Sequence, residues 1–377
     1  MPRQTQAVKK LSQNIRAEAG SGGVLTFARF MELALYCPVH GYYEKQKDNV
    51  GRRGDFYTSV STGELFGQLL ASQFSKWLEQ LKALNPQLST LNLLEAGAHD
   101  GRLAKDILSW LRANRPQLFE QIEYLILEPS SHRRAWQQET LKDFSNVRWH
   151  DSQLSTLNSQ LTGVIFSNEL LDAMPVHRHG WDAQSKKWFE WGVAVEGEKF
   201  VWAKMQQSAV SSQQSSSPSS IFHLPSSLLD VLPDGYTIET SPAAENWWRE
   251  AAGILAHGKL LAIDYGHTAD ELFSPARTRG TLRAYHRHRV SDDLLANVGE
   301  QDLTAHVNFS ALQSVGEAAG LATESFLTQS QFLTQILGAA MQDKSFGEWD
   351  SLRTRQFQTL THPEHLGRAF RVLVQSR

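Results

Sequence analysis

The spacing of hydrophobic residues changes near residue 91. Before it, residues 11–19, 26–36 and 63–84 carry apolar side chains at helical intervals, and Thr26 is placed to N-cap the second helix. After it, short apolar runs alternate with helix-length segments, at "LNLLEAG", "IEYLILE", "VRWH" and "GVIFSNE". Such runs are typical of parallel strands that helices cover on both faces. The pattern predicts a doubly wound, mostly parallel α/β sheet.

Residues 176–235 interrupt this pattern. Their apolar and polar residues alternate as in antiparallel strands, and residues 206–220 form a Ser/Gln tract too polar to bury. We expect an inserted antiparallel β lid with a flexible loop. The α/β rhythm should resume with "YTIET", a helix over 242–256 and "GKLLAIDYG", and should end in "AFRVLVQ". The expected organisation is an N-terminal helical segment with a covering loop, 1–90, followed by an α/β core, 91–377.

Composition narrows the class of protein. The chain has 377 residues and a formal net charge of −3, so a global basic field for nucleic acid is absent. The single cysteine, Cys37, excludes an intrachain disulfide. No apolar run reaches the length of a membrane-spanning helix. These features predict a cytoplasmic protein without nucleic-acid or membrane partners.

The first predicted strand leads into a glycine-containing loop, "LLEAGAHDGRL". Glycines at the carboxyl end of a strand let a ligand approach the backbone, and the next helix offers free N–H groups. His99 stands where a dinucleotide loop has its second glycine. The looser spacing of Glu95, Gly97 and Gly101 suits a phosphate-free nucleoside with an amino-acid tail. The alternative is an ordinary tight turn between strand and helix.

Two acids end the following strands. Glu128 could accept two hydrogen bonds from a ribose diol, and Asp151 could meet an adenine amino group. In the alternative interpretation both are solvated acids at strand ends. Because the carboxyl ends of parallel strands share one edge of a sheet, we expect the loop and both acids to line one site.

"SNELLDAMP" closes the fourth strand at the same edge. Asn168, Glu169 and Asp172 could grip the N–H groups of an amine or guanidinium. The alternative is that Asn168 N-caps a helix through Leu170 and Leu171.

Two further features concern the binding of a cation and of a metal ion. In "GRRGDFYTS" an aromatic ring, of Phe56 or Tyr57, could face a cation. The pairs His177/His179 and His286/His288 should each lie on one side of a strand. Because no cysteine or carboxylate completes a set of metal ligands with either pair, we expect no metal site.

Nine segments in order resemble the MidA-type family of class I S-adenosylmethionine-dependent methyltransferases. These segments are "CPVHGYY", "GDFYTS", "ELFG", "LLEAGAHDGRLAKDIL", "LEPS", "SNELLDAMPVHR", "LAIDYGH", "TLRAYHRH" and "DLTAHVNFSAL". That family includes a mitochondrial assembly factor that methylates a protein arginine. The resemblance covers nearly the whole chain and implies a Rossmann-like fold, S-adenosyl-L-methionine as methyl donor and a protein substrate.

The family's site residues can be assigned by position. The resemblance places the cofactor loop at Glu95, Gly97, Gly101 and Leu103, and the ribose acid at Glu128. It places a segment that closes over the cofactor at Gly54, Asp55, Phe56, Thr58 and Ser59. It places the acceptor motif at Asn168, Glu169, Asp172 and Ala173, where Asn168 also adjoins the cofactor.

The chain departs from the family pattern at two positions. His99 replaces the middle glycine of the cofactor loop, and Ser61 stands where the family has a glutamate that could help to hold arginine. A non-catalytic assembly or scaffolding protein therefore remains an alternative to an arginine methyltransferase. A nicotinamide-dependent oxidoreductase is disfavoured, because an intact G-x-G-x-x-G loop is absent. The oligomeric state, including a homodimer, stays open.

Overall fold

The computed structural model describes residues 2–20, 23–44, 58–150, 154, 157, 160–205, 229–286, 289–342 and 346–377. The helices are α1 (Pro2–Ala19), α2 (Phe27–Tyr36), α3 (Leu65–Leu84), α4 (Arg102–Asn114), α5 (Pro116–Phe119), α6 (Ser131–Thr140), α7 (Pro242–Ile254), α8 (Ala269–Leu272), α9 (Phe309–Ala318), α10 (Gln329–Gln342), α11 (Ser351–Thr361) and α12 (Leu366–Ala369).

The strands are β1 (Leu25–Thr26), β2 (Leu91–Ala96), β3 (Ile122–Leu127), β4 (Val147–His150), β5 (Leu161–Asn168), β6 (His177–Asp182), β7 (Lys187–Glu196), β8 (Lys199–Lys204), β9 (Thr237–Thr240), β10 (Leu255–His267), β11 (Arg283–His286), β12 (Arg289–Ser291), β13 (Asp302–Thr304), β14 (Val307–Asn308), β15 (Ala322–Thr328) and β16 (Phe370–Ser376). The chain divides into two compact units, and each is described by itself.

One unit contains the parallel sheet and comprises residues 46–172, 244–266 and 309–377. Its strand order is β15-β16-β10-β5-β2-β3-β4. The strands from β10 to β4 are parallel, whereas β16 is antiparallel to both of its neighbours. Apolar side chains of β2, β3 and β5 are buried on both faces of this sheet, as their near-continuous apolar sequences require. The predicted fold class is confirmed.

Aromatic side chains fix one face of this core. Phe166 of β5 lies with its ring centroid 5.0 Å from that of Phe74 of α3 and 6.5 Å from that of Tyr124 of β3. All three residues are fully buried. The helices α10 and α11 also pack against α3. Sequence analysis did not predict these two helices, although Phe332, Leu333, Ile336 and Ala340 give α10 a buried face.

The other unit comprises residues 1–45, 173–243 and 267–308. It contains an antiparallel sheet of order β1-β7-β6-β9, with β8 on β7, and a smaller sheet of order β12-β11-β13. The predicted N-cap is confirmed, since the Thr26 hydroxyl accepts a hydrogen bond from the Arg29 N–H at 3.2 Å. "YTIET" was wrongly predicted to rejoin the α/β core. It forms β9, which pairs with β6, because Thr237 and Ile238 find their buried environment in this sheet.

The boundaries of the two units differ from the expected division of the chain at residue 91. The helix α3 lies in the unit with the parallel sheet, and the described part of the insertion 176–235 lies in the other unit. The tract 206–220 lies outside the described residues. Among the helices that the structure describes, none is long and apolar enough to cross a membrane.

Candidate functional site

The cofactor-loop residues leave β2 through three left-handed backbone positions. The φ angles of Gly97, His99 and Gly101 are 78°, 46° and 82°. A Cβ atom on Gly97 would lie 3.0 Å from a methyl carbon of Leu170, so the loop closely approaches the turn that follows β5. Gly101 precedes α4 directly, and its N–H donates to the Ala98 carbonyl at 2.7 Å. Glycine is needed at 97 for conformation and for space.

His99 holds a left-handed conformation that is uncommon for a residue with a side chain. Its carbonyl accepts a hydrogen bond from Gln137 Nε2 at 3.0 Å. Its ring centroid lies 6.4 Å from that of Trp136, and Nδ1 lies 3.9 Å from a carboxylate oxygen of Asp100. The replacement of the family glycine therefore keeps the glycine-type backbone and directs the imidazole toward α6 and Asp100.

Glu95 is buried beneath this loop. Its Oε2 accepts a hydrogen bond from the Tyr124 hydroxyl at 2.7 Å. Burial raises the pKa of Glu95 to about 7, although the bond from Tyr124 opposes the rise. Glu95, which was predicted to belong to the cofactor loop, thus lies beneath the loop, and its carboxyl is hydrogen-bonded to the neighbouring strand β3.

Glu128 lies at the end of β3 in a dense set of hydrogen bonds. Its Oε1 accepts from the Ser130 N–H at 2.9 Å and from Arg133 Nε at 3.0 Å. Its Oε2 accepts from Gln137 Nε2 at 3.1 Å. Because a carboxylate offers about four acceptor positions, these donors leave about one for a ligand. Glu128 could accept hydrogen bonds from both hydroxyl groups of a ribose, as predicted, only if one of these donors moved away.

Gln137 joins the loop, Glu128 and β4. It is fully buried and, besides its bonds to His99 and Glu128, accepts from the Trp149 indole N–H at 3.0 Å. Sequence analysis missed Gln137, since a glutamine within α6 carries no sign of burial. Asp151, predicted to follow this strand at the same edge, lies outside the described residues.

The acceptor motif forms a sharp turn after β5. Glu169 has a φ of 53°, and its N–H donates to the Ile263 carbonyl at 3.0 Å. The carboxylate atom Oε1 accepts from Asn168 Nδ2 and from the Ser59 N–H, each at 3.1 Å. Burial raises the pKa of Glu169 to about 8, the two hydrogen bonds lower it, and the charge of Asp264 raises it. No helix begins here, so the interpretation of Asn168 as an N-cap is wrong.

Two buried oxygens at this edge have no hydrogen-bond partner among the described residues. They are Asn168 Oδ1 and Ser167 Oγ. Ser167 lies opposite Ala96 in the pairing of β5 with β2, directly before the glycine loop. Buried polar atoms without partners are rare in proteins and fit a polar ligand at this position.

The segment before α3 contacts the same carboxylate. Thr58 and Ser59 are buried, and the Ser59 hydroxyl donates to Gln329 Oε1 at 3.1 Å. Gln329 in turn donates to the Leu360 carbonyl at 3.0 Å. Ser61, which replaces the family glutamate, donates to the Thr58 carbonyl at 2.7 Å and so closes a local turn. Gly54, Asp55, Phe56 and Tyr57 lie outside the described residues.

The structure thus brings together Ser59, Gly97, Asn168 and Glu169 within one unit. Asp172 is also buried near the turn, at 7% exposure. Sequence analysis gave no role to Asp264, which accepts hydrogen bonds from the backbone of this turn. Its signal was present, because "LLAID" is an apolar run that ends in an acid.

The histidine pairs lie in the other unit. The rings of His177 and His179 are stacked with centroids 6.4 Å apart, as their alternate spacing predicts. His288 lies outside the described residues. Within the described part of the chain, no three His, Cys, Asp or Glu side chains are grouped to hold a metal ion.

Comparison with solved structures shows similarity over the whole chain. A crystal structure from Burkholderia thailandensis, bound to S-adenosyl-homocysteine, has a TM-score of 0.82 and 31% identity and covers 100% of this chain and 94% of that chain. A native crystal structure from the same organism has a TM-score of 0.81 and 30% identity, with the same coverage.

A curated relative carries a more specific name. The "Protein arginine methyltransferase NDUFAF7 homolog, mitochondrial" of Drosophila melanogaster is 25% identical over 393 residues, which cover 96% of this chain and 84% of that protein. The predicted cytoplasmic location is wrong on this evidence, because the relative is named as mitochondrial. Charge and the absence of long apolar runs do not report the compartment of a protein.

A family model covers more than half of the chain. It is described as "Putative S-adenosyl-L-methionine-dependent methyltransferase" and matches residues 69–327. The matched range contains β2 to β5 and β10, whose carboxyl ends carry the site. The chain therefore belongs to this family of methyltransferases, whose methyl donor is S-adenosyl-L-methionine.

Proposed function

We propose that this enzyme transfers a methyl group to a guanidinium nitrogen of a protein arginine. The observation that carries the proposal is the Glu169 carboxyl, which is held between Ser59 and Asn168 at the edge where the glycine loop lies. Leu170, the next residue, contacts the position of Gly97. The Drosophila relative, named a protein arginine methyltransferase, supports arginine as the acceptor.

Glu169 matches the chemistry of a guanidinium. Its pKa of about 8 reflects a carboxyl removed from water, which has no cationic partner within the described part of the chain. Arginine stays protonated in proteins, so a bound guanidinium would stabilise the ionised carboxylate and complete the ion pair. Glu169 would then orient the attacking nitrogen and accept the proton that the guanidinium loses on methylation.

The donor would lie over the glycine loop. When bound, S-adenosyl-L-methionine supplies an electrophilic methyl group and keeps the electron pair of the C–S bond that breaks. Ser167 Oγ and Asn168 Oδ1, which have no hydrogen-bond partner among the described residues, would bind its polar groups. Contacts of Gly54, Asp55, Thr58, Gly101, Glu128 and Asp151 with the donor stay predictions, as does a direct role of Asp172.

The test compares the enzyme with Glu169→Gln, which keeps the size of the side chain and removes its charge. Each protein is incubated with radiolabelled donor and a methylation-deficient lysate, and the labelled proteins are hydrolysed for amino-acid analysis. We expect label in methylarginine, reduced about 100-fold by Glu169→Gln. Stabilisation by S-adenosylhomocysteine in a thermal-shift titration should be equal for both proteins. The matched control is Glu120→Gln, an exposed carboxyl, which should change neither result.

Each other result has a definite meaning. Label in an amino acid other than arginine would refute the proposed acceptor. Stabilisation by S-adenosylhomocysteine without any transfer would favour the non-catalytic scaffold. If Glu169→Gln also lost the stabilisation, Glu169 would be a cofactor or structural residue. A protein substrate is part of the proposal, whereas a homodimer and the absence of nucleic-acid and membrane partners stay predictions.

A further inference from the structure

Asp264 is a fully buried acid in β10, directly after the last residue of that strand that pairs with β5. Its Oδ2 accepts hydrogen bonds from the N–H groups of Leu171 at 2.8 Å and Leu170 at 3.1 Å. Its Oδ1 accepts from the N–H of Tyr265 at 2.8 Å. The carboxylate therefore binds consecutive amides of the turn that starts at Glu169.

This turn has little regular structure to support it. Glu169 holds the left-handed conformation at a cost, since its side chain disfavours that region. The residues that follow form no helix in which their N–H groups could be satisfied. A carboxylate that accepts from successive backbone N–H groups is a strong, charge-assisted anchor for such a turn.

We propose that Asp264 is a positioning residue of the methyl-transfer site, which fixes the backbone of the Glu169 turn and thereby aims the Glu169 carboxyl at the acceptor. This role rests on the proposed function of Glu169. In this role Asp264 needs no contact with the acceptor. It acts through the amides of residues 170 and 171, while the Glu169 N–H is bound separately by the Ile263 carbonyl on the same strand.

The electrostatics of the pair agree with a positioning role. Burial raises the pKa of Asp264, and the backbone N–H groups around it oppose that rise. The Asp264 charge in turn raises the pKa of Glu169. A neutral or apolar side chain would avoid both costs, so a purely packing role gives no reason for an acid at this position.

Three variants distinguish a positioning role of Asp264 from a general contribution to the stability of the fold. Asp264→Leu removes both acceptor oxygens at similar size, and Asp264→Asn keeps one carbonyl oxygen but places an amide donor against a backbone donor. Val372→Ala is the control, because fully buried Val372 lies opposite Ile263 on β16 and its truncation destabilises the same region without touching the turn. Amide hydrogen exchange, methyl transfer into the deficient lysate and the KM for S-adenosylmethionine are measured for each.

In Asp264→Leu we expect the amides of Leu170, Leu171 and Tyr265 to exchange at least about tenfold faster, as for one lost hydrogen bond. The rate of transfer should fall about 100-fold, whereas the KM for S-adenosylmethionine should stay within about threefold. Asp264→Asn should speed exchange only at Tyr265 and recover most of the transfer. Val372→Ala should speed exchange broadly and keep the transfer rate.

The proposal is overturned if Asp264→Leu transfers methyl groups at the normal rate, or if its faster exchange spreads as in Val372→Ala. Should Asp264→Leu fail to fold, Asp264→Asn decides alone through its pattern of exchange at residues 170, 171 and 265. If the unmodified enzyme puts no label into arginine, the proposed function fails, while the exchange pattern still tests the anchor.

Discussion

Glu95→Gln should make the free energy of unfolding less dependent on pH. The Glu95 carboxyl is 2% exposed beneath the glycine loop and accepts a hydrogen bond from Tyr124. Burial raises its pKa from 4.5 to about 7. Glutamine keeps the shape and a carbonyl acceptor for the Tyr124 hydroxyl but cannot ionise.

The sign of the pH dependence follows from the different pKa values of Glu95 in the unfolded and the folded chain. In the unfolded chain Glu95 loses its proton near its ordinary pKa, whereas in the folded protein it keeps the proton to about pH 7. Folding stability therefore falls as the pH rises from 4.5 through 7. The full difference corresponds to about 3 kcal/mol, most of which is lost between about pH 5 and pH 8.

The assay is urea unfolding of the ligand-free protein, followed by tryptophan fluorescence at about pH 5, 6, 7 and 8. The stability of Glu95→Gln relative to the unmodified protein should rise by about 2–3 kcal/mol across this range. Tyr124→Phe alone should steepen the loss, because the bond that lowers the pKa is removed. In the Glu95→Gln background the same change should add no pH dependence. Parallel stability curves for Glu95→Gln and the unmodified protein would refute the reasoning.

Three further substitutions test local features. His99→Gly should retain binding of S-adenosylhomocysteine in a thermal-shift titration, since the backbone there is already left-handed; lost binding would show that the imidazole contacts the ligand. Thr26→Ala should lower the unfolding free energy by about 1 kcal/mol through loss of the bond to the Arg29 N–H, and an unchanged urea midpoint would contradict this. Phe166→Ala should cost about 3–5 kcal/mol because the ring is fully buried; a loss below about 1 kcal/mol would mean that the core repacks.

Local patterns were sufficient to predict the strands that carry the site. The strands β2, β3 and β5 are short apolar runs that end in polar residues, and parallel strands bring these ends to one edge. This is why the positions of Glu95, Glu128 and Asn168 at one edge of the sheet could be predicted. The same reasoning applied to "LLAID" would have included Asp264.

The remaining elements depend on pairing between residues that are distant in the sequence, and this limited their prediction. "YTIET" has the composition of a buried strand, but nothing in its five residues indicates β6 as its partner. The bond from Ser59 to Gln329 joins residues 270 positions apart, so the sequence could not reveal that Gln329 is buried beside the site. Helix α10 did carry an apolar face at helical spacing, and it was missed although the signal was local.

The distribution of buried acids supports the position of the site independently of any resemblance. Burial raises the pKa values of Glu95 and Glu169, at the carboxyl ends of β2 and β5, and of Asp264, which directly follows the part of β10 that pairs with β5. These three strands are adjacent in the sheet. Each desolvated acid costs stability near neutral pH, and Glu239 of the other unit shows that such costs also arise elsewhere. Three buried acids at one edge of the sheet are harder to attribute to packing, because apolar residues would fill the same space at less cost in stability. A cation bound at Glu169 would offset part of this cost, as expected of the proposed acceptor site for arginine.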